Sequence, residues 1–155
     1  MFSFNRGVYP LSTYQTIPFI LDHDAPSLDN LLPGLTNPSI NINKSQKTKY
    51  HALCVLSGNF SCLLWQALFK MFQQELHWPP SIAYPYLRQQ TENLLKYPES
   101  ALTGTLVRND HITVKNHLAA LSGSSLQALY QSFLDFYRQI RKSSKLHDLI
   151  FTRKN

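Results

Sequence analysis

The sequence predicts a mainly helical protein, a helical bundle around one long central helix, preceded by a short β-α-β unit. Three observations predict it. The run Lys47–Glu75, KTKYHALCVLSGNFSCLLWQALFKMFQQE, holds no proline and is apolar on almost every side. Downstream, proline, glycine and cap residues punctuate three further segments with helical spacing. Upstream, two short strand-like runs flank a short helical one within about forty residues, the size of one βαβ unit.

In chain order, residues 1–15 read as loop, with Gly7 and Pro10 as punctuation. Thr16–Leu21 reads as a short strand, with Pro18 at its start or on an edge. Asp24 is the expected N-cap of a short helix through Leu32, with Pro26 in its first turn and Gly34 ending it. Ser39–Ile42 is the second strand.

The long helix then spans roughly 40 Å at ~1.5 Å per residue. Leu53, Leu56, Phe60, Leu63, Leu64, Trp65 and Phe69 fit no single stripe, so the helix is expected to be buried and wrapped by others. His51, Ser57, Gly58, Asn59, Ser61 and Gln66 interrupt it, which argues against a membrane span. His51, Val55 and Asn59 are spaced i, i+4, i+8 and fall on one side. A buried imidazole and amide there would be tied to neighbouring helices or would line a pocket. Gly58 removes bulk where another backbone or a ligand could approach.

Trp78-Pro79-Pro80 stops this helix. Ser81–Tyr97 forms the next, with Leu87, Thr91, Leu94 and Leu95 facing inward, and Pro98 ends it. Residues 101–108 are short and irregular. Asp110 is the expected N-cap of a helix through Leu121 that Gly123 closes. Ser124 or Ser125 opens the last helix, where Leu126, Leu129, Tyr130, Phe133, Leu134, Tyr137 and Ile140 repeat at helical spacing as core or subunit interface. A frayed tail follows Lys145. The organisation expected is therefore a sheet-derived part over 1–43, a helical domain over 44–145 and a basic tail over 146–155.

Net charge is +6 among 155 residues, and the excess gathers at the C-terminal end in Arg138, Arg141, Lys142, Lys145, Arg153 and Lys154. Such an end suits a helix dipole. Nucleic-acid binding is disfavoured because no base-stacking aromatic pattern accompanies the charge. Cys54 and Cys62 would lie ~12 Å apart on one helix, too far for a disulfide, so free thiols in a reducing compartment are expected. The start lacks the basic and apolar regions of a signal peptide, and the cytoplasm is the expected location.

The five glycines are too dispersed for a G-x-G-x-x-G or phosphate loop. No C-x-x-C, H-E-x-x-H or G-x-S-x-G occurs, so neither a zinc site nor a hydrolase elbow is expected. What remains is a series of polar residues in apolar surroundings. Lys47 with Tyr50-His51, then Asn59, is followed by Pro85-x-Leu87-Arg88-Gln89-x-Thr91-x-Asn93. Ala101-Leu102-Thr103-Gly104, Arg108-x-Asp110, Thr113-Val114 and His117-Leu118 complete it.

This order resembles the helical C-terminal domain, of unknown function, of Rossmann-like oxidoreductases related to 6-phosphogluconate dehydrogenase. The resemblance runs along nearly the whole chain. It implies an all-helical domain that dimerises and closes over NAD(P), with residues 1–43 as the end of a Rossmann-like sheet. It also implies a truncated or split relative, a substrate-binding and dimerisation portion that does not bind NAD(P) tightly alone. Thr105 stands where the resemblance expects proline, and Asn109 where it expects glycine.

In better-known hydroxyacid dehydrogenases of the superfamily a lysine precedes the helix asparagine by one turn; Val55 occupies that position here. By analogy His51 becomes the candidate general acid or base, and Asn59 would orient a carbonyl or hydroxyl. Arg108 could pair with a substrate carboxylate or phosphate, Thr103 could add a hydrogen bond, and Arg88 and Asn93 complete the substrate set. A homodimer acting on a small molecule, away from membranes, is the implied assembly. The alternative is a non-catalytic helical assembly module.

Overall fold

The computed structural model describes residues 2–4 and 6–142, and the basic tail expected over 146–155 lies outside the described residues. The chain forms two compact units, Met1–Pro79 and Pro80–Asn155.

The first unit begins with α1 (Leu11–Gln15), β1 (Phe19–Asp22), α2 (Leu28–Leu31) and β2 (Ser39–Ile42). The strands pair in parallel, Phe19 opposite Ser39 through Asp22 opposite Ile42. A parallel pair needs a crossover rather than a hairpin, and α2 lies within it. Asn37 secures the arrangement by donating its Nδ2 hydrogens to the carbonyls of Tyr14 (2.7 Å) and Ile17 (3.0 Å).

Two local expectations differ from the fold. Residues 1–15 are not all loop, because Pro10 precedes a helical turn and its carbonyl accepts from the N–H of Thr13 at 2.9 Å. The cap of α2 is Ser27, whose hydroxyl accepts from Asn30 N–H at 3.4 Å. Asp24 instead reaches Lys44 at 3.3 Å, an exposed ion pair.

The long helix runs continuously over Lys44–Gln74. It comprises α3 (Lys44–Cys54), a π-helical turn at Val55–Asn59 and α4 (Phe60–Gln74). Lys47 in its first turn pairs with Asp22 at the end of β1, 2.7 Å away. At the other end His77 turns left-handed (φ 55°) and Trp78 N–H donates to Phe72 carbonyl at 2.8 Å, closing the helix before Pro79.

The π-turn has a local cause. Ser57 Oγ donates back to the carbonyls of Leu53 (2.9 Å) and Cys54 (3.3 Å), competing with the regular ladder, and Gly58 beside it is a poor helix former. A π-turn holds one extra residue and turns α4 against α3 by about 100°. Gly58 belongs to this turn rather than to a close approach, since an added Cβ would meet nothing within 4 Å.

The expectation of a buried central helix is corrected. No residue of Lys44–Gln74 is buried, and Leu53, Leu56 and Leu63 are each more than half exposed. An all-round apolar pattern demands partners but does not say that the same chain supplies them. By length and composition this helix could cross a membrane, a test that core helices of soluble proteins also pass.

In the second unit a 3-10 turn, Pro80–Ala83, leads into α5 (Tyr84–Lys96), followed by α6 (His111–Ala120) and α7 (Ser125–Lys142). Among the described residues its buried apolar side chains are Ala83, Leu134 and Ile140. Gly123 (φ 77°) turns α6 into α7, and Gln127 Nε2 donates to Leu118 carbonyl at 2.9 Å across the pair. Leu87 is half-buried, whereas Leu94 and Leu95, expected inward, are exposed on a side of α5 left uncovered. The outcome is mainly helical, with a two-stranded parallel sheet before the long helix, as the sequence predicts.

Candidate functional site

Asn59 lies on the wall of an open cavity of about 1080 Å³ in the first unit, formed around the π-turn with Tyr50, Cys54, Ser57, Cys62 and Leu63. Tyr50 is held above the ordinary phenol range, first by a hydrogen bond with the Cys54 side chain and then by desolvation. Both cysteines are free thiols. His51 does not line this cavity and is exposed on α3.

The other four sequence-predicted residues belong to the second unit. Arg88 is exposed on α5. Asn93 Oδ1 accepts from Gln89 Nε2 at 2.9 Å, one turn away on the same helix. Thr103 and Arg108 do come together, on a cavity of about 410 Å³ whose walls include Gly104, His117, Tyr130 and Leu134. Neither Arg88 nor Asn93 lines it.

The loop between α5 and α6 shapes that cavity. Arg108 N–H donates to Gly104 carbonyl (3.1 Å), Asn109 N–H to Leu106 (3.3 Å) and Asp110 N–H to Thr105 (3.0 Å). Gly104 has φ +90°, which favours glycine. Asn109, where the resemblance expects glycine, has φ 53°. Asparagine tolerates that left-handed backbone better than most residues, and its Oδ1 accepts from Arg141 Nη1 at 3.1 Å. Thr105 keeps its carbonyl in the loop ladder despite standing in the expected proline position.

Asp110 caps α6 as expected. Its Oδ1 accepts from Thr113 N–H at 3.0 Å and its Oδ2 from Thr113 Oγ1 at 2.7 Å. The Thr113 backbone bond, then the Thr113 hydroxyl, hold this carboxyl below its ordinary range, with Arg108 and His117 adding attraction. A lowered carboxylate pKa contributes stability above the unfolded-state value, lost as pH falls through the folded one. Asp110→Ala is expected to lower the Tm by a few degrees at neutral pH. Asp110→Asn should retain most of the cap yet flatten the acid limb of a Tm-against-pH profile; an unchanged limb would contradict this role.

Sequence reasoning named His117 only as part of the family pattern and assigned Tyr130 to the core stripe. The fold pairs them, with His117 Nδ1 2.9 Å from the Tyr130 hydroxyl and the rings edge-on at 5.8 Å. The signal, which Tyr137 shares, was an aromatic bearing a hydroxyl in a largely apolar stripe. Among the described residues no group of three or more His, Cys, Asp or Glu could hold a metal.

Residues 21–139 match the family described as Domain of unknown function (DUF2520). No curated protein matches the chain. In fold it is similar to the crystal structure of a "putative NADP oxidoreductase" from Bacteroides fragilis, with a TM-score of 0.59 and 20% identity over 68% of this chain. The match spans 41% of that protein's length.

Proposed function

Because the chain belongs to the family described as Domain of unknown function (DUF2520), we propose that it is the substrate-binding and dimerisation portion of an NADP-dependent oxidoreductase. The observation that carries this reading is the fold shared over 68% of the chain with the Bacteroides fragilis protein. The exposed apolar length of Lys44–Gln74 supports self-association, because a second copy would supply the cover that the sequence pattern demands.

These residues do not fit a nucleotide grip of their own, since their glycines form no phosphate loop. The nucleotide-binding part is therefore assigned to sequence outside them, and the isolated chain is inactive. Within this reading Asn59 orients a substrate carbonyl or hydroxyl, and Thr103 and Arg108 hold the substrate. His51 is the proton-transfer candidate carried over from the resemblance, and Arg88 and Asn93 act as outer substrate contacts. Within the same reading the chain works in the cytoplasm, away from membranes.

Sedimentation velocity and NADPH fluorescence titration test the proposal together. A dimer at micromolar concentration with no saturable NADPH binding is expected. Tight NADPH binding by these 155 residues, or a monomer throughout, would overturn it.

The exclusion of His51 from the cavity that Asn59 lines favours the second reading, a non-catalytic helical assembly module. Under that reading, alanine at both equivalent positions of a relative carrying its nucleotide-binding domain leaves turnover intact.

A further inference from the structure

We propose that the cavity bordered by Thr103, Gly104, Arg108, His117 and Tyr130 is a subsite for an oxyanion, the carboxylate or phosphate end of a small ligand. The inference rests on the substrate-binding reading of this loop, takes up the anion class that the resemblance suggests for Arg108, and adds the backbone amides and the His117–Tyr130 wall as the parts that would hold it.

The first observation is an unspent cation. Among the described residues the exposed Arg108 side chain enters no ion pair or hydrogen bond, and the carboxylate it attracts, Asp110, already accepts from Thr113 through both oxygens. A guanidinium so placed retains the planar fork that matches carboxylate and phosphate.

The second is a run of unspent donors. The N–H groups of Thr103, Gly104, Thr105, Leu106 and Val107 donate to no acceptor among the described residues, while the Gly104, Thr105 and Leu106 carbonyls are engaged by the residues that follow. Gly104, at φ +90°, turns the backbone where a side chain would be strained. Consecutive free amides in a turn that passes through the left-handed region form the concavities that bind anions.

The third is the opposite wall. His117 and Tyr130 are fixed to each other at 2.9 Å, and they place an imidazole and a hydroxyl on the cavity that Thr103 and Arg108 share. No carboxylate lines it. Leu134, 5% exposed, adds an apolar wall.

The test is a titration of the ¹⁵N-labelled full chain with inorganic phosphate and, separately, with acetate, each against sodium chloride at matched ionic strength. Saturable shifts at the Thr103–Val107 amides with either anion are expected. Phosphate alone would mark a phosphorylated ligand, and acetate alone a carboxylate. Arg108→Met should weaken the response about tenfold or more, and Arg108→Lys, which keeps the charge but loses the fork, should fall between. Tyr130→Phe should weaken it only a few-fold, through a freed imidazole.

Shifts no larger than those in chloride, or saturation untouched by Arg108→Met in a folded variant, would overturn the subsite. Sedimentation of the same samples separates the two ideas. A dimer without anion response removes only the subsite, and a monomer with an Arg108-dependent response removes only the dimerisation reading.

Discussion

Leu63→Glu, alone or with Leu56→Glu, is expected to leave the purified chain monomeric at concentrations where the parent sediments as a dimer. Both side chains lie more than half exposed on the long helix, at 59% and 56%, so glutamate costs the isolated unit little. In an interface the same carboxylate would be stripped of water against leucine and phenylalanine, which costs several kcal/mol when unpaired, or more than about a hundredfold in Kd. Large loss of association with nearly unchanged thermal stability is therefore the signature. Unaltered sedimentation would show that the apolar length of Lys44–Gln74 is not the dimer seam.

Leu134→Ala should have the opposite profile. Leu134 is 5% exposed, one of the few buried side chains among the described residues of the second unit. It also lines both the Arg108 cavity and a neighbouring one of about 230 Å³ beside Asn109 and Arg141. Truncation leaves a void in a core too small to collapse around it, and about 2–4 kcal/mol of stability should be lost in urea unfolding. Leu95→Ala, at an 82% exposed position, supplies the control and should be close to neutral. Similar losses at both positions would mean that α5 is covered in solution by something beyond its own unit.

What could be read from the sequence was mostly local. Asp110 and Thr113 sit three residues apart, so their cap is decided within one turn. Pro18 and the Ser39–Ile42 run mark the two strands because strand edges are set by which residues can donate a hydrogen bond. Burial of the long helix could not be read, because its side chains state only that cover is needed. The π-turn was hidden for a related reason: Ser57 and Gly58 are its cause, yet each looked like an interruption of a regular helix.

The site divides in the same way. Thr103 and Arg108 are five residues apart in one loop, and the fold brings them to one cavity. His117 and Tyr130 are thirteen apart, and only the α6–α7 turn at Gly123 makes them neighbours. His51 and Asn59 were coupled by counting along one helix, yet only Asn59 lines the cavity at the π-turn, because a shared helix side does not decide which side chains a cavity one or two turns away takes in.

The π-turn also sets the phase between the two halves of one rod. Excising Gly58 would rotate Phe60–Gln74 by about 100°, a little over a quarter turn, relative to the end held by Lys47 and Asp22. Composition would scarcely change, but the leucines on either side of the joint would point along a different bearing. A partner that had matched them would meet a mistimed surface.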